Sequence, residues 1–210
     1  MIKYMEKYVL DTNVFFNMEP GLGLGKKTEE VVVAVTKIGK DIKKEKKGEL
    51  LMPPRAIDEF LSFFKDKEQE FITDFLSVIT IKSPDISKMQ FSSGVFYKIV
   101  QDIRNRSYRG LNIGEEEIQS AGKKLMGKKD LKKQEFEMEI GGVIKSFRER
   151  YRKATRFGFL DSLADLDVIV LAKEQDAFLV SSDEGVLKWA KLFGVKEMPA
   201  VAWKKRFLLE

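Results

Sequence analysis

Tyr8-Val9-Leu10-Asp11-Thr12-Asn13 is an apolar run that ends in a carboxylate followed by two turn-forming residues. It reads as a buried strand, and a carboxylate at the C-terminal end of a strand is where open α/β sheets place ligands and catalytic groups. The same pattern returns at Phe178-Leu179-Val180-Ser181-Ser182-Asp183. Ahead of that second run lie Asp161 and Asp165, four residues apart. In a helix this spacing puts two carboxylates on one face, roughly 6 Å apart along the axis. Three such elements converging would hold divalent cations.

Working outward, residues 7–11 read as a strand. Residues 28–47 carry Val31, Val32, Val35 and Ile38 at helical spacing. Glu49–Met52 is a short strand stopped by Pro53-Pro54, a helix starts near Arg55, and Ser77–Ile81 is β-branched enough for a third strand. This alternation predicts an α/β fold, a central parallel β-sheet flanked by helices. From Pro84 to Arg156 the strand signals vanish, and the stretch reads as a helical hairpin broken near Gly110–Gly114. Residues 85–156 hold 17 Lys and Arg against 10 Asp and Glu, so the basic character of the chain is concentrated there. The α/β pattern then resumes with a helix over Leu160–Lys173, a strand over Ala177–Ser182, a helix over Asp183–Phe193 and a strand over Lys196–Val201. The expected organisation is a discontinuous domain, 1–83 and 157–210, interrupted by a helical insertion at 84–156.

Composition narrows the chemistry. There is no cysteine and no histidine among the 210 residues, which excludes disulfides, thiolate sites, Ser-His-Asp triads and the usual zinc sites. Catalysis has to use carboxylates, lysine, hydroxyls or metal. The net charge of +5 and pI near 9.1 suggest a polyanionic partner. Apolar runs such as Val168–Ala172 are too short to span a bilayer, and no signal-peptide pattern opens the chain. With the lack of cysteine, this agrees with a cytoplasmic protein.

Each acidic residue has a plain structural alternative. Asp11 before Thr12-Asn13 suits an Asx-turn or helix cap, and Asp183 suits an N-cap. The Asp161 and Asp165 pair would be a solvated face were it not set among Phe157, Phe159, Leu160, Leu163, Leu166 and Ile169. Asp167 points away from that pair and reads as structural. Glu59 is a further candidate ligand on the helix after the second strand. Hard oxygen ligands without His or Cys select Mg²⁺ or Mn²⁺. Residues 21–28, Gly-Leu-Gly-Leu-Gly-Lys-Lys-Thr, fail the spacing of a phosphate loop and read as a turn. In the insertion, Lys124, Lys128 and Lys132 are expected on one helical face and Arg148, Arg152 and Arg156 on another, flanked by Arg150 and Lys153. Such stripes are often solvated faces, but arginine suits bidentate phosphate contacts.

With those residues in place, the chain resembles a PIN domain, the fold of many metal-dependent ribonucleases. The matching motifs are Val9-Leu10-Asp11-Thr12-Asn13, the Asp161-to-Asp165 helix and the Ser182-Asp183 strand end. With the helical insertion included, the whole chain is similar to HARP, the minimal protein-only ribonuclease P family. That resemblance implies that Asp11, Asp161, Asp165 and Asp183 form the catalytic metal centre. It also implies that the insertion serves self-assembly and grips precursor tRNA, and that the chain forms a large homo-oligomer built from dimers. The implied activity is metal-dependent removal of the 5′ leader, leaving a 5′-phosphate on the tRNA and a 3′-hydroxyl on the leader, with no RNA subunit. A toxin-type PIN ribonuclease is the first alternative, though such toxins are usually shorter and lack the insertion. A catalytically silent RNA-binding assembly protein is the second.

Overall fold

The computed structural model describes residues 5–16, 24–156, 160 and 162–208. In chain order the elements are β1 (Glu6–Leu10), α1 (Asn13–Phe16), α2 (Thr28–Lys44), β2 (Gly48–Met52), α3 (Pro54–Ser62), α4 (Glu70–Val78), β3 (Ile79–Ile81), α5 (Ser93–Leu125), α6 (Lys133–Arg156), α7 (Leu163–Glu174), β4 (Phe178–Ser181), α8 (Glu184–Leu192), β5 (Lys196–Pro199) and α9 (Ala200–Leu208). The strands form one parallel sheet in the order β3-β2-β1-β4-β5, so the chain starts in the middle and winds outward both ways. As the unbroken apolar run predicts, Tyr8, Val9 and Leu10 in central β1 are fully buried. Among the described residues no helix is long and apolar enough to cross a membrane.

Aromatic packing locks the segment that follows β1. Phe15 is fully buried and sits 5.1 Å, centroid to centroid, from both Phe60 of α3 and Phe75 of α4. Burying a phenylalanine in this way contributes roughly 2–3 kcal/mol, enough to hold α1 against α3 and α4. The turn expected at Thr12-Asn13 leads directly into α1, a single helical turn held by the buried Phe15. Buried Trp203 of α9 packs on Tyr8 of β1, with ring centroids 6.2 Å apart. It anchors α9, which takes up Val201 where a longer last strand was expected.

Several other boundaries differ. Ser77 and Val78 belong to α4, not to the third strand, because Val78 is buried on the helical face that also carries Phe75. Helix α2 stops at Lys44, and Lys46 adopts a left-handed φ of 53° that turns the chain into β2. The helix expected from Leu160 starts at Leu163, where extended Ser162 accepts a hydrogen bond from the Asp165 N–H and so caps it.

Backbone contacts divide the chain into two compact units, Met1–Phe91 with Leu160–Glu210, and Ser92–Phe159. The second is the α5–α6 hairpin inserted between β3 and β4. The break expected at Gly110–Gly114 is absent, and α5 runs straight through it for 33 residues. Gly110 is explained by close packing, since a Cβ there would lie 2.7 Å from the Tyr151 ring of α6. The reversal occurs instead between Leu125 and Lys133, where Gly127 and Asp130 take left-handed φ of 79° and 53°. Lys124, Lys128 and Lys132 therefore do not share a helical face. Lys124 closes α5, Lys128 lies in the connection and pairs with Glu139 at 2.5 Å, and Lys132 precedes α6. Arg150 ties the two helices together through Glu116 and through Glu117, 2.8 Å away. That hydrogen bond, with one from Ser146, holds the Glu117 carboxyl below its usual range.

Candidate metal centre

Parallel registry builds the site. Leu10 pairs with Val180, so the next residues along, Asp11 and Ser181, meet at the C-terminal edge of adjacent strands. The Asp11 N–H continues the ladder to Val180 O at 3.0 Å. Its side chain is 2% exposed and accepts from Ser181 Oγ at 2.5 Å and from Asn13 Nδ2 at 3.2 Å. Ser181 Oγ in turn accepts from the Asp183 N–H at 2.9 Å, so one hydroxyl joins the two strand ends.

Asp183 caps α8, its Oδ1 accepting from the Gly185 and Val186 N–H groups at 2.6 and 3.1 Å. The capping alternative is therefore true, and it coexists with proximity to Asp11. Burial pushes the Asp11 carboxyl above its usual range and the Asp183 charge adds to this, while the Ser181 and Asn13 hydrogen bonds oppose it. A cation relieves both unfavourable effects.

Glu59 joins the group through Thr12, whose hydroxyl donates to Glu59 Oε2 at 2.9 Å and stands 3.4 Å from Asp11 Oδ1. Asp165 lies half-buried in the first turn of α7. Asp161 is outside the described residues, and among those described no three acidic side chains are already gathered tightly enough to hold an ion. Asp167, read as structural, is buried and pairs with Arg55 at 2.7 Å. The donors on this edge are carboxylate and hydroxyl oxygens with the Asn13 amide beside them, which fits a hard divalent cation.

Ser181, Thr12 and Arg55 were given no role from sequence. For Ser181 a signal existed: in a parallel pair the residue level with a strand-end aspartate faces it, but only once β1 and β4 are known to be neighbours. The arginines at 148 and 152 are exposed on α6, in the other unit.

A family model described as a PINc domain ribonuclease matches residues 7–208. A protein of Methanothermobacter thermautotrophicus named RNA-free ribonuclease P is 38% identical over 159 residues, 73% of this chain and 72% of its own. Proteins of the same name from Pyrococcus horikoshii and Thermodesulfovibrio yellowstonii are each 31% identical, over 96% and 90% of this chain and 91% and 87% of theirs. A parallel sheet in the order 3-2-1-4-5 with a buried aspartate closing its central strand, and similarity running through the insertion, lead to one assignment: the chain belongs to the RNA-free ribonuclease P family of PINc-domain ribonucleases.

Proposed function

We propose that this chain is a protein-only ribonuclease P that removes the 5′ leader of precursor tRNA, using Mg²⁺ or Mn²⁺ held by Asp11, Asp161, Asp165 and Asp183. The observation that carries the reading is Asp11, a buried carboxylate beside a second carboxylate at the edge of the central strand, in a chain of this family. A bound divalent cation supplies an activated water and stabilises charge on the reacting phosphate. Ser181 fixes the Asp11 carboxylate, and Thr12 couples it to Glu59. The α8 cap holds Asp183 in one orientation. With no histidine in the chain, proton transfer falls to carboxylates and solvent.

The hairpin is assigned to RNA binding and assembly. Arg148 and Arg152 are exposed one turn apart on α6, and Arg156 continues their spacing. Arg150 serves to hold the hairpin together. Exposed apolar side chains along the hairpin, among them Leu111, Ile118 and Ile144, favour a homo-oligomer.

The test is incubation with precursor tRNA and Mg²⁺ followed by mapping of both product ends. A cut at the mature 5′ end, with 5′-phosphate on the tRNA and 3′-hydroxyl on the leader, supports the reading. Cuts elsewhere, or on unrelated RNA only, return it to a toxin-type nuclease, and intact RNA to a silent binding protein.

Replacing Arg148, Arg152 and Arg156 together with alanine is expected to weaken RNA binding and flatten its salt dependence. The log–log slope should fall by up to about 0.9 per lost duplex-phosphate contact. A change in sedimentation instead would assign the stripe to assembly. Unchanged binding, slope and mass would move recognition to Lys124, Lys132 and the Arg104–Arg109 segment of α5.

A further inference from the structure

Arg55 is an exposed cation one helical turn before Glu59 on α3. The register places Val9 opposite Leu51, so Asp11 is level with Pro53, and Arg55 follows two residues later in the first turn of α3. Glu59 is four residues further on, hence on the same face of that helix, and it is Glu59 that accepts from Thr12 beside Asp11. From the opposite side, Asp167 lies two residues beyond Asp165 in α7 and grips Arg55 Nη1 at 2.7 Å. The guanidinium thus joins α3, one helical turn before Glu59, to α7, the helix that carries Asp165 in its first turn.

The pair is lopsided. The Asp167 side chain is 10% exposed, whereas that of Arg55 is 57% exposed. A nearly buried carboxylate needs a charge partner, but the partner need not present most of its surface to water. A guanidinium has five N–H donors in a rigid plane, and Asp167 engages one of its nitrogens. The rest of the fork is open to solvent, on the helix whose next turn carries Glu59.

We propose that Arg55 is a substrate-contacting residue that binds a backbone phosphate of the RNA strand entering the acidic site, with Asp167 as the residue that positions it. The inference rests on the proposed nuclease reading and adds a contact outside the aspartate set and outside the hairpin. Part of the binding energy for RNA then comes from the catalytic unit itself, and it is charge-assisted and salt-dependent.

The test uses the full chain and precursor tRNA. Binding is measured over a salt series with Ca²⁺ replacing Mg²⁺, alongside thermal melting and Mn²⁺ calorimetry. The variant Arg55→Gln/Asp167→Asn removes both charges and so leaves no lone buried carboxylate. It is expected to melt near the wild type and bind Mn²⁺ normally, yet to bind RNA on the order of 10-fold more weakly. Its salt slope should be shallower by about 0.7–0.9.

Wild-type RNA affinity and slope in this variant would overturn the proposal, leaving Arg55 as counter-charge only. So would an affinity loss matched by an equal loss of Mn²⁺ binding. Should the variant not fold, single-hit phenylglyoxal labelling of wild-type protein, read by mass spectrometry, decides the matter. RNA must protect Arg55, and equal labelling with and without RNA would refute the contact. Wild-type cleavage in Mg²⁺ is run in parallel. Failure there removes the nuclease reading and this proposal with it, whereas cleavage together with an indifferent Arg55 removes this proposal alone.

Discussion

Asp11→Asn is expected to lower cleavage by on the order of 10²-fold or more, equivalent to roughly 3 kcal/mol of lost transition-state stabilisation, while the metal-free protein remains folded. The stability half of this expectation follows from the direction of the Asp11 shift. Burial and Asp183 raise its folded-state pKa above the unfolded value. Such a group contributes stability that is fully present below the unfolded pKa and is lost as pH rises through the folded one. At neutral pH in chelator Asp11 is therefore a burden on the fold. The asparagine variant carries no charge there and still offers Ser181 an acceptor, so it should melt at or above wild type at neutral pH. That advantage should shrink or reverse on acidification. Melting curves across pH in EDTA, paired with cleavage assays in Mg²⁺, check both halves. An inactive variant that also unfolds at neutral pH would make the loss a folding effect and undercut the metal role.

Excess EDTA is expected to abolish cleavage outright, with Mg²⁺ or Mn²⁺ restoring it and Ca²⁺ restoring little. The chain lacks histidine and cysteine, so no imidazole or thiolate site can take over. Ca²⁺ is larger and accepts six to eight ligands in loose geometry, which displaces the attacking water from line. Wild-type melting temperature should rise on adding Mn²⁺, because the cation neutralises Asp11 and Asp183 in the folded state only. Asp11→Asn should lose most of that rise. Undiminished cleavage in EDTA would sink the metal mechanism whatever the mutants show.

How much of this was legible beforehand depended on the range of the interaction involved. Strand-forming runs that end in a carboxylate are local patterns, and β1 and β4 with Asp11 and Asp183 at their ends stand where the runs at 8–10 and 178–181 placed them. The parallel α/β class followed from alternation alone. Boundaries set by packing were not local. Ser77 and Val78 joined α4 because Val78 faces the core. Gly110, a weak helix former that invites a break, stayed within α5 because Tyr151 needs the space that it leaves.

The chain by itself determined its class, its lack of histidine and thiolate chemistry, and the order of its four aspartates along the sequence. Only the tertiary structure decided which polar side chains meet across the chain. Ser181 meets Asp11 across 170 positions of sequence, Thr12 meets Glu59 across 47 and Arg55 meets Asp167 across 112. A hydrogen bond of this kind depends on two strands or helices being neighbours, which periodicity along one segment cannot encode. The hydrophobic pattern says that a segment is buried; the pairing of strands and the packing of helices say against what.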